Sequence, residues 1–171
     1  FRTLDMQITW CGGGVLVEGV RTNVLLDCPA GVEHFLTCRG NSIDAVVLTS
    51  GRPQAVGGLV SLLSAASRGR DERRSLTVYS SAGEERGPAL VECWQRFWRS
   101  GMTVQLDVNV PGRSLTIGEF EVRVQGIAHG EPDWLDGSVI PAVGVALTVR
   151  AGRTEVVWIP GAAPSPHLNR L

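Results

Sequence analysis

One histidine and three carboxylates lie close together in the second half of the chain. His129 follows an apolar stretch that is typical of a β-strand, and Glu131, Asp133 and Asp136 come soon after it. An imidazole titrates near neutral pH, so it can act as a general acid, a general base or a metal ligand. With carboxylates beside it, it can help to hold Mn²⁺, Mg²⁺ or Ca²⁺, which favour oxygen ligands. A lone histidine is more often structural, and the sequence leaves both interpretations open.

A second group of polar residues lies in a short turn between an apolar run and an apolar helix. Residues 46–49 form the run, the turn contains Ser50, Arg52 and Gln54, and the pair Gly57-Gly58 opens the helix. A strand, a tight turn and a helix in this order place side chains at the carboxyl end of a strand, where α/β sheets bind their ligands. Yet the turn has no histidine, aspartate or cysteine, which metal-dependent or nucleophilic chemistry would need. The position of the turn therefore predicts a functional site, whereas its residue types do not.

The elements that must position these residues are those of a mixed α/β domain. Alternating apolar residues predict strands, and apolar residues at helical spacing predict helices. We expect strands at residues 6–10, 15–18, 23–26, 45–48, 76–79, 104–108, 114–117, 120–127, 142–150 and 155–159, and helices at residues 32–38, 54–66 and 89–99. Residues 130–141 are predicted to form a loop. Because the later strands follow one another through short turns, a largely antiparallel sheet is expected.

Two of these elements carry expectations about burial. In the helix predicted at residues 89–99, five residues at helical spacing are expected to face the core: Leu90, Cys93, Trp94, Phe97 and Trp98. Asp27 ends an apolar strand, where a buried carboxylate needs hydrogen-bond donors. We expect the backbone N–H groups of the turn that follows Asp27 to supply them.

The composition is that of an ordinary globular protein. A chain of 171 residues with 43% hydrophobic and 19% charged residues suits one domain. With 16 Lys+Arg against 17 Asp+Glu the net charge is −1, which gives no overall attraction to nucleic acid or to an anionic membrane. No apolar run reaches the ~18 residues of a membrane-spanning helix, and the first residues do not resemble a signal peptide. A cytoplasmic protein is therefore expected.

The cysteines give no sign of a metal or redox site. Cys11, Cys28, Cys38 and Cys93 are irregularly spaced and form no C-x-x-C pair, which argues against a zinc ribbon or a redox dithiol. We interpret all four as small buried hydrophobic residues in a reducing compartment.

Several segments, taken in chain order, resemble the metallo-β-lactamase fold, and most closely its ribonuclease Z-like branch. Residues 6–14 are similar to the family's first strand and glycine turn, and residues 23–28 to its strand ending in Leu-Asp-Cys-Gly, with Pro29 in place of the glycine. Residues 43–49 resemble the approach to its metal motif, residues 104–129 its later strands and their histidine, and residues 156–161 the approach to its Gly-Asp-Thr motif. The metallohydrolase-like protein of pyrroloquinoline quinone synthesis has a similar ending, so that sub-branch stays open.

The resemblance implies a fold and a domain organisation. The fold is a four-layer αββα sandwich with mostly antiparallel or mixed sheets, and the family's metal site lies at one edge between the two sheets. Residues 1–171 would form a single domain of this type, and the last family histidine would lie beyond Leu171.

The resemblance also implies where the metal ligands of the family would fall. The family motif Thr-His-x-His-x-Asp-His aligns with residues 49–55, where this chain has none of its histidines or its aspartate. The family's next histidine is present in this chain, and the bridging aspartate of its Gly-Asp-Thr motif is replaced. The six positions are Ser50, Arg52, Gln54, Ala55, His129 and Ala162. Zinc needs three or four imidazole, thiolate or carboxylate ligands, and a guanidinium is a permanent cation that repels a metal ion. We therefore expect a degenerate metal site and no zinc cofactor.

One functional hypothesis is a pseudoenzyme, which keeps a hydrolase-like fold and acts as a non-catalytic binding or regulatory protein. Its partner would be a small anion or a protein, not nucleic acid and not a membrane. Arg52, His129 and Gln54 are the candidate anion-binding residues, because a guanidinium fork suits phosphate or carboxylate. Alternatively, Arg52 pairs with Asp27, Glu131 or Asp133 and merely fills the former site.

The other hypothesis is a metal-dependent hydrolase of the same superfamily, either a phosphodiesterase or a ribonuclease Z-like RNA-processing enzyme. Its metal would lie in an atypical site at His129, Glu131, Asp133 and Asp136. In either case the ribonuclease Z-like branch implies a homodimer.

Overall fold

Two β-sheets face one another, and helices cover the outer face of the first sheet. The computed structural model describes residues 6–40, 42–68, 75–81, 85–98, 102–109, 112–132 and 139–160. Within these residues the chain forms ten strands and four helices.

The first sheet has six strands in the spatial order β1 to β6. They are β1 (Gln7–Cys11), β2 (Gly14–Glu18), β3 (Asn23–Leu26), β4 (Ala45–Val47), β5 (Ser75–Ser81) and β6 (Thr103–Asn109). The first three are antiparallel, and the turn between β1 and β2 contains Gly12 at a φ of 72°. The strands from β3 to β6 are parallel, so each needs a crossover connection. Helices α1 (Val32–Arg39), α2 (Pro53–Val56), α3 (Leu59–Ser67) and α4 (Arg86–Phe97) lie in these crossovers.

The second sheet has four antiparallel strands in the order β10-β9-β8-β7. They are β7 (Ser114–Ile117), β8 (Phe120–Pro132), β9 (Val139–Ala151) and β10 (Thr154–Trp158). Gly118 and Gly152, at φ values of 57° and 59°, take the left-handed conformation in the two tight turns.

The period-2 alternation of the strands produces two separate cores. Val15 and Val17 on β2 face the second sheet, whereas Leu16 between them faces the helices. Phe120 and Leu147 from the second sheet complete the core between the sheets. Because β3 and β4 are covered on both faces, their residues form continuous apolar runs.

The predicted mixed α/β class with two sheets is confirmed. Three of the five strand pairings in the first sheet are parallel, which the sequence pattern alone did not indicate. The described residues supply three layers of the sandwich, a helical layer and the two sheets. None of their helices covers the outer face of the second sheet.

The single helix predicted at residues 54–66 is wrong, because two helices occupy this segment. α2 ends at Val56 and α3 begins at Leu59. Between them, the N–H of Gly58 donates to the carbonyl of Cys28 at 2.8 Å, and Gly58 lies directly against the carbonyl of Pro29. This contact with the turn after β3 breaks the helix.

The burial predicted for α4 is confirmed for Trp94 and partly for Leu90, which packs against the core, but it is wrong for Cys93, Phe97 and Trp98. α4 buries Gly87, Val91 and Trp94, which lie on a neighbouring face of the helix. Phe97 is 76% exposed and Cys93 is exposed as well. The prediction that every cysteine is buried fails at Cys93 and also at Cys38, whereas Cys11 and Cys28 are buried.

The loop predicted at residues 130–141 is shorter than expected, because β8 continues to Pro132 and β9 begins at Val139. Long pairing between these two strands, with His129 opposite Ala142, extends the second sheet into this segment. No helix within the described ranges is long and apolar enough to cross a bilayer.

The close approach of Gly58 to Pro29 gives a stability prediction. Gly58 has φ −95° and ψ −2°, which alanine adopts freely, but an added Cβ would overlap the Pro29 carbonyl oxygen. We expect Gly58→Ala to lower the free energy of unfolding by about 2 kcal/mol or more, as overpacking does. Urea unfolding measures this loss.

Gly13→Ala is the matched control, because its Cβ would meet Pro29 at an ordinary contact distance of 3.7 Å. We expect that variant to stay within about 0.5 kcal/mol of the parent protein. Equal stability of the two variants would contradict the role of the Gly58 contact.

Candidate functional site

The candidate site lies at one edge of the first sheet, where β3 and β4 end side by side. These strands are parallel, with Leu26 opposite Val47, so the segments that follow them leave the sheet at the same edge. Asp27 follows β3, and Thr49 and Ser50 follow β4. The topology therefore brings the carboxylate of Asp27 to the turn that the sequence singled out.

The Asp27 carboxylate holds three segments of the chain together. Its Oδ1 accepts a hydrogen bond from the backbone N–H of Thr49 at 2.8 Å, and the Thr49 hydroxyl lies 2.8 Å from each carboxylate oxygen. The indole Nε1 of Trp158, at the end of β10, donates to Oδ2 at 2.9 Å. Asp27 is only 1% exposed, so these bonds replace water around it.

The donors to Asp27 differ from those predicted. We expected the turn that follows Asp27 to provide them, but Thr49 and Trp158 do so from segments distant in sequence. Asp27 has a left-handed φ of 59°, and the N–H of Cys28 donates to the carbonyl of Ala55 at 2.6 Å. The following turn thus bonds to the turn after β4 and not to the carboxylate.

Burial dominates the ionisation of Asp27. Loss of water around the carboxylate raises its pKa to about 6, against the opposing effect of the hydrogen bonds from Thr49 and Trp158. The ionised form is therefore the less favourable one in the folded protein at mildly acidic pH.

Backbone hydrogen bonds fix the turn between β4 and α3. Besides the bonds from Cys28 to Ala55 and from Gly58 to Cys28, the guanidinium of Arg86 donates to the carbonyl of Gly51 at 3.3 Å. α2 begins at Pro53, whose fixed φ suits a first helical position. Most of these contacts join main-chain atoms, and the Ser50 hydroxyl adds a side-chain contact by accepting a hydrogen bond from the Arg52 N–H at 3.5 Å.

The side chains of the turn point to different surroundings. Ser50 and Arg52 are half-buried, and Gln54 is exposed. Ala55 is 3% exposed and its methyl group belongs to the core under the helices. The Asp27 carboxylate accepts its hydrogen bonds from Thr49 and Trp158.

The other predicted site residues lie on the second sheet or beyond the described residues. The backbone of His129 and Glu131 belongs to β8, where they pair with Ala142 and Ile140. Asp133, Asp136 and Ala162 lie outside the described residues. Binding of an anion by Arg52 together with His129 therefore stays a prediction.

The donor set of the described site does not fit a zinc ion. Ala55 presents a methyl group to the core, and the oxygens of Asp27 already accept hydrogen bonds from Thr49 and Trp158. Burial raises the pKa of the Cys11 thiol to about 11 and raises that of Cys28 as well, so both are protonated at neutral pH and are poor metal ligands. Within the described ranges, no three His, Cys, Asp or Glu side chains come together in a metal-binding arrangement.

Sequence reasoning missed Trp158 as a site residue. It lies 131 positions from Asp27 in the chain, and its only local signal is its place at the end of a predicted strand. Trp158 also makes an edge-to-face contact with Trp10 at a centroid distance of 5.3 Å. Trp10 is 69% exposed, so this aromatic pair forms the outer rim of the site.

No protein-family model matches the chain, and no curated protein matches it in sequence. Solved structures do share its fold. The metallo-β-lactamase fold protein YhfI of Bacillus subtilis has a TM-score of 0.61 and 19% identity, over 86% of this chain and 53% of that protein. The short form of human tRNase Z has a TM-score of 0.64 and 14% identity, over 86% of this chain and 61% of that one. For a diphosphatase of the PhnP family the TM-score is 0.55 and the identity 16%, over 80% and 48% of the two chains.

The chain therefore has the metallo-β-lactamase fold, with ribonuclease Z-like structures among its neighbours. At these identities the likeness concerns the fold alone. The chain spans about half to three fifths of the length of these three structures, from 48% to 61%.

The raised pKa of Asp27 gives a prediction about the pH dependence of stability. Its folded pKa of about 6 exceeds the ordinary aspartate pKa of 3.8, so the folded state holds the proton more tightly than the unfolded state. The stabilisation by the protonated group is complete below about pH 4 and is lost as the pH rises through about 6. Relative to Asp27→Asn, the parent protein should lose about 2 kcal/mol of unfolding free energy between pH 4 and pH 7.

Urea unfolding of both proteins at one-unit pH intervals measures this difference. The Asn variant serves as the control, because it shares every other titrating group. If the stability of the parent protein relative to the variant stayed constant or rose with pH, a raised pKa at Asp27 would be contradicted.

Proposed function

We propose that this protein is a pseudoenzyme on the metallo-β-lactamase fold, a non-catalytic binding or regulatory protein with a degenerate metal site. The observation that carries the proposal is the turn after β4. Its main chain is tied to Asp27 through the N–H of Thr49 and to Cys28 through the carbonyl of Ala55. Its side chains at the ligand positions nonetheless include a guanidinium at Arg52 and a buried methyl group at Ala55.

The chemistry of these substitutions argues against metal-dependent hydrolysis at this turn. Solved neighbours include proteins named as metallo-β-lactamases, a tRNase Z and a diphosphatase. In hydrolases of this kind a metal ion lowers the pKa of the attacking water. Here the turn offers a hydroxyl, an amide, a methyl group and a permanent cation, and a cation repels a metal ion.

Arg52 gives the same turn the capacity to bind an anion. Its half-buried position shields the guanidinium partly from water, which strengthens a charge-assisted hydrogen bond. Gln54 is exposed two residues further along and can donate through its amide. A phosphate or carboxylate bound by Arg52, Gln54 and His129 is the small-anion form of the proposal.

The metal content of the purified protein tests the proposal directly. We expect less than about 0.1 equivalent of zinc or manganese per chain after purification without chelators, because a usable donor set needs three or four ligands. Plasma mass spectrometry measures the metal. Hydrolysis of bis(p-nitrophenyl) phosphate should stay at background with and without added Mn²⁺.

The same experiment separates the two hypotheses. Stoichiometric metal together with phosphodiesterase activity would reject the pseudoenzyme. If the His129→Ala variant then lost both, the atypical metal-dependent site around His129 would be supported. A His34→Ala variant is the control, because His34 is exposed on α1, in the helical layer.

Anion binding gives a second test. We expect inorganic phosphate and adenosine monophosphate to bind, and Arg52→Gln to weaken both about tenfold or more, as loss of a charged hydrogen bond worth about 1.5 kcal/mol does. Isothermal titration at low ionic strength measures the affinities, which should fall as salt is added.

The control variant is Arg113→Gln, which removes an exposed arginine directly before β7 of the second sheet. Phosphate affinity should be unchanged in this variant. Binding that responds equally to both substitutions, or that does not exceed the buffer background, would reject the anion-binding form of the proposal.

A further inference from the structure

An open groove lies between the α2–α3 segment and α4, next to the turn after β4. Its volume is about 470 Å³, within the range of about 300–1,000 Å³ that is typical of small-molecule sites. Gly51 and Pro53 form the end of the groove at the turn, Val56 and Val60 form one wall, and Arg86 and Leu90 on α4 form the other.

The walls of this groove are apolar although they face solvent. Val60 is 38% exposed, and Leu90 is only half-buried. The sequence pattern of α4 had indicated that Leu90 would lie in the core. Apolar side chains that line a concave surface favour an occupant with an apolar body.

One charged side chain lines the groove among the residues that the structure describes there. The guanidinium of Arg86 donates to the carbonyl of Gly51 at 3.3 Å, which places its positive charge at the end of the groove beside the turn. A guanidinium carries five N–H donors in a planar fork, so it can contact Gly51 and a carboxylate or phosphate together. None of the described residues that line the groove is acidic.

We propose that this groove binds a small amphipathic anion, whose carboxylate or phosphate contacts Arg86 and whose apolar body lies between α3 and α4. The apolar walls and the cation at one end match the two parts of such a ligand. The cation of this groove is Arg86, whereas the anion proposed at the turn would contact Arg52, Gln54 and His129. The two regions adjoin, because Gly51 and Pro53 of the turn also line the groove.

Titration of the full chain with three eight-carbon probes tests the inference. Octanoate, octanol and octylammonium share the apolar body and differ in charge. We expect octanoate to saturate one site per chain and to shift the amide NMR signals of Gly51, Val60 and Leu90. Octanol should bind at least tenfold more weakly, and octylammonium more weakly still. A fourth probe, octyl phosphate, shows whether the groove prefers a phosphate or a carboxylate head.

Two variants test the named contacts. Arg86→Gln should weaken octanoate at least tenfold and leave octanol unchanged, which separates the charge contact from the apolar contact. Val60→Asp places a carboxylate on an exposed position of the wall, where it should weaken octanoate by a similar factor without unfolding the chain. Arg96→Gln, which removes another arginine of α4 outside the groove lining, is the control and should bind octanoate as the parent does.

Several outcomes would overturn the inference. They are octanoate binding that is unaffected by Arg86→Gln, tighter binding of octylammonium, or the uptake of several octanoate molecules per chain. The groove could instead be occupied by a second copy of this chain, and sedimentation velocity detects such a dimer. A dimer whose formation is abolished by Val60→Asp, with no octanoate binding to the parent protein, would assign the groove to self-association instead.

Discussion

The hydrogen bonds to the Asp27 carboxylate are the constraint on which the site depends. This buried group joins the end of β3, the end of β4 and the end of β10, and so links both sheets at one edge of the sandwich. A buried carboxylate is costly unless its oxygens accept hydrogen bonds, and Thr49 and Trp158 supply them. Even with these bonds, burial keeps its pKa near 6. The fold therefore accepts a charged or partly charged group in its interior to keep three chain segments in register.

Main-chain contacts extend this constraint to the turn after β4. Cys28 bonds to Ala55, Gly58 bonds to Cys28, and the close approach of Gly58 to Pro29 leaves no room for a side chain. The bonds of Cys28 and Gly58 join main-chain atoms, whereas the guanidinium of Arg86 and the hydroxyl of Ser50 add two side-chain contacts. Because the main-chain bonds do not require particular side chains at Arg52, Gln54 and Ala55, the backbone of the turn can persist while these residues change, which is the basis of the proposed pseudoenzyme.

Much of the fold could be predicted from the sequence, because strands and helices have different periods. The alternation in β2, with Val15 and Val17 on one face and Leu16 on the other, fixes which side chains meet the second sheet. The candidate site was predictable in position, since the turn follows a buried strand. Its chemistry was less predictable, because the donors to Asp27 come from Thr49 and from Trp158, at 22 and 131 positions along the chain. Periodicity carries no information about such distant pairs.

The sequence by itself determined the order of the elements, the buried strands and the absence of the usual metal ligands from residues 50–55. Only the tertiary structure decided where the helix after β4 breaks, which face of α4 is buried and what surrounds Asp27. The physical reason is the same in each case. Local periodicity and residue chemistry act within a few positions of the chain, whereas Gly58 meets Pro29, Trp94 meets Ser64 and Asp27 meets Trp158 only after the sheets and helices have assembled.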